Sequence, residues 1–192
     1  MTNFAVYCSA SPESTKFNPA GEQIADFIAG HQGNLVYGGS NAGLMHVTAQ
    51  NVHKRGGKII GVIPKFMADE NLVSPLNDQT YVVDTMDERK AKMAELADVC
   101  VALPGGVGTL EEITEIMSWD RIGEIQIPYF FYNYEHFFDP FEKFIDQLVT
   151  DDLLSAKDRT RIHFITDLNE ANQYLNDYQP TNFHLFSKEN DQ

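Results

Sequence analysis

The stretch Val99-Cys100-Val101-Ala102-Leu103-Pro104-Gly105-Gly106-Val107-Gly108-Thr109-Leu110-Glu111-Glu112 opens as a short apolar run, breaks into a glycine-rich turn and resumes with helical spacing. Glycine lets the backbone turn sharply and approach a ligand closely. The first N–H groups of the following helix have no intrahelical partner, so they point at whatever anion sits there. Phosphate fits such a turn, and Thr109 adds a hydroxyl. A plainer reading is also available: Thr109 and Glu112 have the spacing of a capping box, which would make this a well-capped helix after a tight turn.

Outward from this stretch the chain repeats the same alternation. Apolar runs rich in Val, Ile, Phe and Tyr occur at Phe4 to Cys8, Leu35 to Tyr37, Ile59 to Ile63, Tyr81 to Val83, Tyr129 to Tyr132 and Ile162 to Ile165. Between them lie residues at helical spacing, such as Ile24, Phe27 and Ile28, then Leu44, Val47 and Thr48, then Met86, Met93 and Leu96. Alternating strands and helices predict an α/β fold with a mostly parallel sheet covered on both faces. Three strands run into Gly or Ser, at Cys8-Ser9-Ala10-Ser11, Tyr37-Gly38-Gly39-Ser40 and Leu103-Pro104-Gly105-Gly106. Ligands of open parallel sheets sit beyond the carboxyl ends of the strands, which puts these three turns on one rim. Lys65 to Asp78, polar and poorly periodic, reads as a surface loop near the same edge. One domain over residues 1–178 and a polar tail over 179–192 complete the expected organisation.

Composition narrows the function. Lys and Arg total 14 against 28 for Asp and Glu, a formal charge of -14. Such a surface repels a nucleic-acid backbone, although a few local cations and N–H groups suffice for a small anion. No window has the length of a membrane-spanning helix and the start lacks a signal-peptide pattern, so a cytoplasmic protein with no membrane partner is expected. Cys8 and Cys100 sit in apolar runs and read as buried hydrophobes, not as a disulfide or a metal site.

Two features add to the turn. Glu112, Glu115 and either Ser118 or Trp119 follow at helical spacing, while Ile113, Ile116 and Met117 mark the buried stripe and leave Glu112 at its edge. Upstream, Met86-Asp87-Glu88-Arg89-Lys90-Ala91-Lys92-Met93 places Arg89 and Lys90 near a helix start, where cations oppose the dipole unless an anion holds them. Glu88 is the plain candidate for that anion and a nucleotide the sharper one, since Arg offers multi-donor recognition.

The two motifs, M-x-x-R-K-x-x-M followed by P-G-G-x-G-T-x-E-E, resemble the LOG (Lonely Guy) family of cytokinin riboside 5′-monophosphate phosphoribohydrolases, long mislabelled as lysine decarboxylases. The resemblance runs from the first strand to about Leu175. It implies a Rossmann-like three-layer sandwich, a homodimer, and hydrolysis of the N-glycosidic bond of a nucleoside 5′-monophosphate to free base and ribose 5-phosphate. The catalytic pair it implies is Arg89 and Glu112. Substrate contacts would fall on Lys90, Gly105, Gly106, Val107, Gly108, Thr109, Glu111 and Ser118, with Gly39 and Ser40 from the second glycine turn and an acidic ribose contact near Glu70. The reaction needs neither metal nor organic cofactor. A pyridoxal-dependent lysine decarboxylase would need a Schiff-base Lys in a particular setting, and nothing in the sequence supplies one.

The chain departs from the family pattern at Ser40, at His46 where Gly is usual, and at Asp87 beside Arg89. His46 and Asp87 motivate an alternative, a non-catalytic nucleotide or phospho-ligand binding protein. Trp119, Phe130, Phe131, Phe137 and Phe138 supply aromatic surface for a dimer, though aromatics more often fill cores.

Overall fold

A computed structural model describes residues 1–180 of the chain. The tail expected at 179–192 therefore lies outside the described residues beyond Pro180. Seven strands, β1 (Asn3–Tyr7), β2 (Asn34–Tyr37), β3 (Ile59–Pro64), β4 (Gln79–Val83), β5 (Val99–Ala102), β6 (Tyr129–Tyr132) and β7 (His163–Ile165), form one sheet in the order β4-β3-β2-β1-β5-β6-β7. Every pairing is parallel. The chain builds outward from β1 to β4, returns, and resumes on the other side of β1 with β5. This reversal opens a crevice at the carboxyl ends of β1 and β5.

Alternate strand residues feed two cores. On one face Phe4, Val6, Val101 and Phe130 pack with Ile24 and Ile28 of α1 (Asn18–Gly30), Leu44 and Val52 of α2 (Gly43–Lys54), and Ala171 of a later helix. On the other, Ala5, Tyr7, Cys100 and Phe131 pack with Met93 of α4 (Met86–Leu96), Ile113 and Ile116 of α5 (Val107–Ile122), and Ile145 of α6 (Asp139–Thr150). The result is the expected three-layer sandwich. Two short helices, α3 (Lys65–Asp69) and α7 (Ala156–Arg159), the helix α8 (Leu168–Asp177), which carries Ala171, and two 3₁₀ turns at Thr15–Phe17 and Tyr134–His136 complete the described chain.

The stretch expected to be a loop from Lys65 to Asp78 is thus helical in its first turn. Its remainder is pinned to the glycine turn after β2. Ser74 N donates to the Gly39 carbonyl at 2.8 Å, and Ser40 bridges Val73.

Local signals place the two helices that matter most. Thr85 caps α4 by accepting from Glu88 N at 3.1 Å, and the Glu88 carboxylate turns back to accept from Asp84 N at 2.8 Å. Glu88 is therefore spent on the cap and does not hold Arg89 or Lys90. Helix α5 stops at Gly123, whose φ of 81° is the left-handed conformation that glycine adopts without a Cβ penalty. Both cysteines are free and buried. Phe130, Phe131 and Phe138 are in the core, and Phe137 and Trp119 pack against it.

Candidate active site

At the crevice, the turn after β5 meets the turn after β1: Ser9 N donates to the Pro104 carbonyl at 3.3 Å. Helix α5 begins at this junction. Its N-cap is Gly106, no side chain caps it, and the capping box expected from Thr109 and Glu112 is not formed. Instead Thr109 is buried and folds over Gly105, where any Cβ would collide with its hydroxyl, while Glu112 turns toward α4. The first N–H groups of the helix are left for a ligand.

Gly106 and Gly108 differ from Gly105 in kind. A Cβ added at either would meet no atom of the described chain within 4 Å. Their φ angles are not left-handed. Neither the fold nor the backbone conformation requires glycine there, and at Gly108, inside the helix, glycine costs about 1 kcal/mol relative to Ala. The open space beside these backbones is what a phosphate would fill.

One turn along α5, Glu112 meets Arg89 of α4. Arg89 Nη1 donates to Glu112 Oε1 at 2.7 Å, with the two side chains 6% and 5% exposed. Arg89 is seated from behind: its Nε donates to the Val62 carbonyl at 3.1 Å, and its Nη2 occupies the space a Cβ on Gly38 would need. With only Oε1 engaged by the guanidinium, the carboxylate is oriented and its other oxygen is available to the cleft. Burial raises the Glu112 pKa, and the charge and hydrogen bond of Arg89 oppose that rise without cancelling it. Desolvation wins because the pair is almost closed to water.

The cleft around this pair has a volume of about 370 Å³ and is walled by Cys8 to Ser11, by Met45, Met67 and Met86, by Arg89, and by Gly106, Gly108, Thr109, Glu111 and Glu112. Three methionines from three different helices form its apolar side, a pliable surface for a planar group. The sequence drew attention to the turn after β1 but not to these methionines; their only signal was proximity to glycine turns and to the Arg-Lys pair.

Other candidates are placed elsewhere. Lys90 sits among three carboxylates, 2.8 Å from Glu111, 3.3 Å from Glu115 and 3.3 Å from Asp87, and does not join Arg89. Ser118 lines a separate cavity with Asp120 and Arg161, because α5 carries it two turns away from Glu112. Gly39 and Ser40 are engaged by Ser74 and Val73, and Val107 projects outward, 85% exposed. Glu70 caps the end of α3 and is not on the cleft wall. Asp87 touches Lys90, and His46 is not on the wall either; its buried Nδ1 finds no partner among the described residues.

Sequence comparison gives this geometry its family. A family model described as Possible lysine decarboxylase matches residues 45–175. The cytokinin riboside 5′-monophosphate phosphoribohydrolase LOG2 of Arabidopsis thaliana is 34% identical over 184 residues, 95% of this chain and 86% of that protein. The chain belongs to the LOG family. The rice enzyme of the same name, LOG of Oryza sativa subsp. japonica, is 38% identical over 158 residues, 82% of this chain and 65% of that protein. Membership places the chain among N-glycosyl hydrolases. Among solved structures, the molybdenum cofactor carrier protein MCP of Chlamydomonas reinhardtii superposes with a TM-score of 0.69 at 20% identity, covering 91% of this chain and 96% of its own. At that identity the likeness is one of fold.

Proposed function

We propose that the protein hydrolyses the N-glycosidic bond of a nucleoside 5′-monophosphate with an adenine-type base, plain or prenylated, releasing base and ribose 5-phosphate. The observation that carries this reading is the buried Arg89–Glu112 pair one helical turn from an uncapped, glycine-lined helix start. In this arrangement the phosphate rests on the N–H groups at Gly106 to Thr109, and the sugar lies over Glu112. The base faces Met45, Met67 and Met86.

The glycosidic bond breaks with its electron pair going to the base, leaving oxocarbenium-like charge on the ribose that the Glu112 carboxylate stabilises. Water then forms the new C1′–O bond and gives up a proton to Glu112, which passes it to the departing base and returns to the carboxylate form. Arg89 holds the carboxylate in place and supplies a nearby positive charge for the anionic leaving base.

Incubation with adenosine monophosphate and isopentenyladenosine monophosphate, followed by chromatography, tests the reading. Base release is expected from the wild type and not from Glu112→Ala. Release unchanged in the variant refutes the mechanism, and tight binding without turnover across a base panel favours the non-catalytic binder.

The same reading includes a homodimer in the cytosol. An open groove whose floor is Ala91, Ala94, Trp119, Ile122 and Ile125, edged by Glu95 and Glu124, is the surface that supports it. Light scattering at the mass of one chain would reject the dimer. Among the described residues no helix is long and apolar enough to cross a membrane.

A further inference from the structure

Arg89 and Lys90 are consecutive on α4, and their partners Glu112 and Glu111 are consecutive on α5, so the two helices are joined by two neighbouring rungs. The second rung is not the one a substrate would see. The Lys90 ammonium has three protons, and three carboxylates lie within 3.3 Å of its nitrogen: Glu111, Glu115 and Asp87. Two of those protons are hydrogen-bonded to Glu111 and Glu115 on α5, and the ammonium is surrounded by negative charge that a phosphate would have to displace. The side chain is 8% exposed and absent from the cleft wall. The backbones of α4 and α5 stay apart, with almost no close approach between them, so long side chains bridge the gap.

From this geometry we infer that Lys90 is a positioning residue, whose ion-pair clamp on Glu111 and Glu115 fixes the helix carrying Glu112 against the helix carrying Arg89, and not a ligand of the substrate phosphate. The inference rests on the phosphoribohydrolase reading for its kinetic consequences. Buried carboxylate chemistry is sensitive to placement, since a misplacement of about 1 Å can cost about 10²-fold in rate. The clamp holds α5 near its first turns, where the phosphate site and Glu112 both lie. It also adds a positive charge to the surroundings of Glu112, which faces Arg89 and Lys90 from α4, Glu111 on its own helix, Tyr7 at the end of β1 and Cys8 just after it.

Glu115 gives the cleanest test, because it touches Lys90 and is not on the cleft wall. In Glu115→Gln, kcat is expected to fall by up to about tenfold with KM within about twofold, a loosening smaller than full misplacement. If Lys90 were a phosphate ligand, releasing one of its acceptors would leave kcat unchanged and lower KM, and that result overturns the inference. In Lys90→Gln, calorimetry with adenosine monophosphate is expected to give a Kd within about threefold of wild type. Weakening of about tenfold or more, the 1.4 kcal/mol of a lost contact, overturns it. The acid limb of kcat/KM in Lys90→Gln moves to higher pH, which a purely structural brace would not cause. If the wild type releases no base, the phosphoribohydrolase reading has failed and the binding comparison alone decides the role of Lys90.

Discussion

Gly38 and Arg89 are complementary: the guanidinium Nη2 occupies the position that a Cβ on residue 38 would take, while Nε is held by the Val62 carbonyl. Any side chain at 38 must push Arg89 off its seat or be pushed out itself. Gly38→Ala is expected to lower kcat by at least about 10²-fold, the scale of a small misplacement at a reacting centre. Substrate affinity should change less, because the proposed phosphate site is on α5. Steady-state kinetics would show it, and a kcat within threefold of wild type would mean that the slot is not needed.

Gly108→Ala separates ligand from fold. Its Cβ enters open space in a helix, so the variant should be as stable as wild type or up to about 1 kcal/mol more stable in urea denaturation. Adenosine monophosphate should nevertheless bind at least about tenfold more weakly, a loss near 1.4 kcal/mol, because the methyl group stands where the phosphate approaches. Undiminished affinity would move the phosphate elsewhere.

Activity should fall on the acid side at a pH above the ordinary glutamate value of 4.5, because burial raises the Glu112 pKa. As pH drops through the raised value, the carboxylate is protonated and can no longer stabilise positive charge on the sugar. The stability effect has the opposite sense: with a folded pKa above the unfolded one, this carboxyl favours folding fully below the unfolded value, and the contribution is lost as pH rises through the folded value. A pH profile of kcat/KM with an acid limb below 4.5 would assign it to another group.

Phe131 tests the core on the face that carries both active-site helices. Fully buried, it lies 5.1 Å from the Phe138 ring and 4.6 Å from that of Phe164. Phe131→Ala should cost about 3–5 kcal/mol, read from the urea midpoint at unchanged slope. A loss below 1 kcal/mol would mean that the rings collapse into the cavity.

The strands were legible because each is a short apolar run between turn residues, and the pairing of Arg89 with Glu112 was legible because both lie in motifs with a family spacing. The conformations of Lys90 and Thr109 were not. Lys90 is adjacent to Arg89 in sequence, but one residue along a helix is a rotation of about 100°, which turns it toward Glu115 and away from the cleft. Thr109 and Glu112 have capping-box spacing, yet the helix starts three residues earlier at Gly106, so Thr109 lies inside the first turn and Glu112, one turn further on, is free to meet the guanidinium.

An α/β sandwich with a glycine-rich, anion-ready turn at the head of an acidic helix can be read from the residues alone, because hydrophobic periodicity and glycine placement are local properties of the chain. Which glycines serve the fold and which border open space, and which of two adjacent cations faces the cleft, emerge once the chain is folded. Those answers depend on atoms brought together from distant segments, Gly38 beneath Arg89 and Glu115 against Lys90, and no local pattern encodes the space between them.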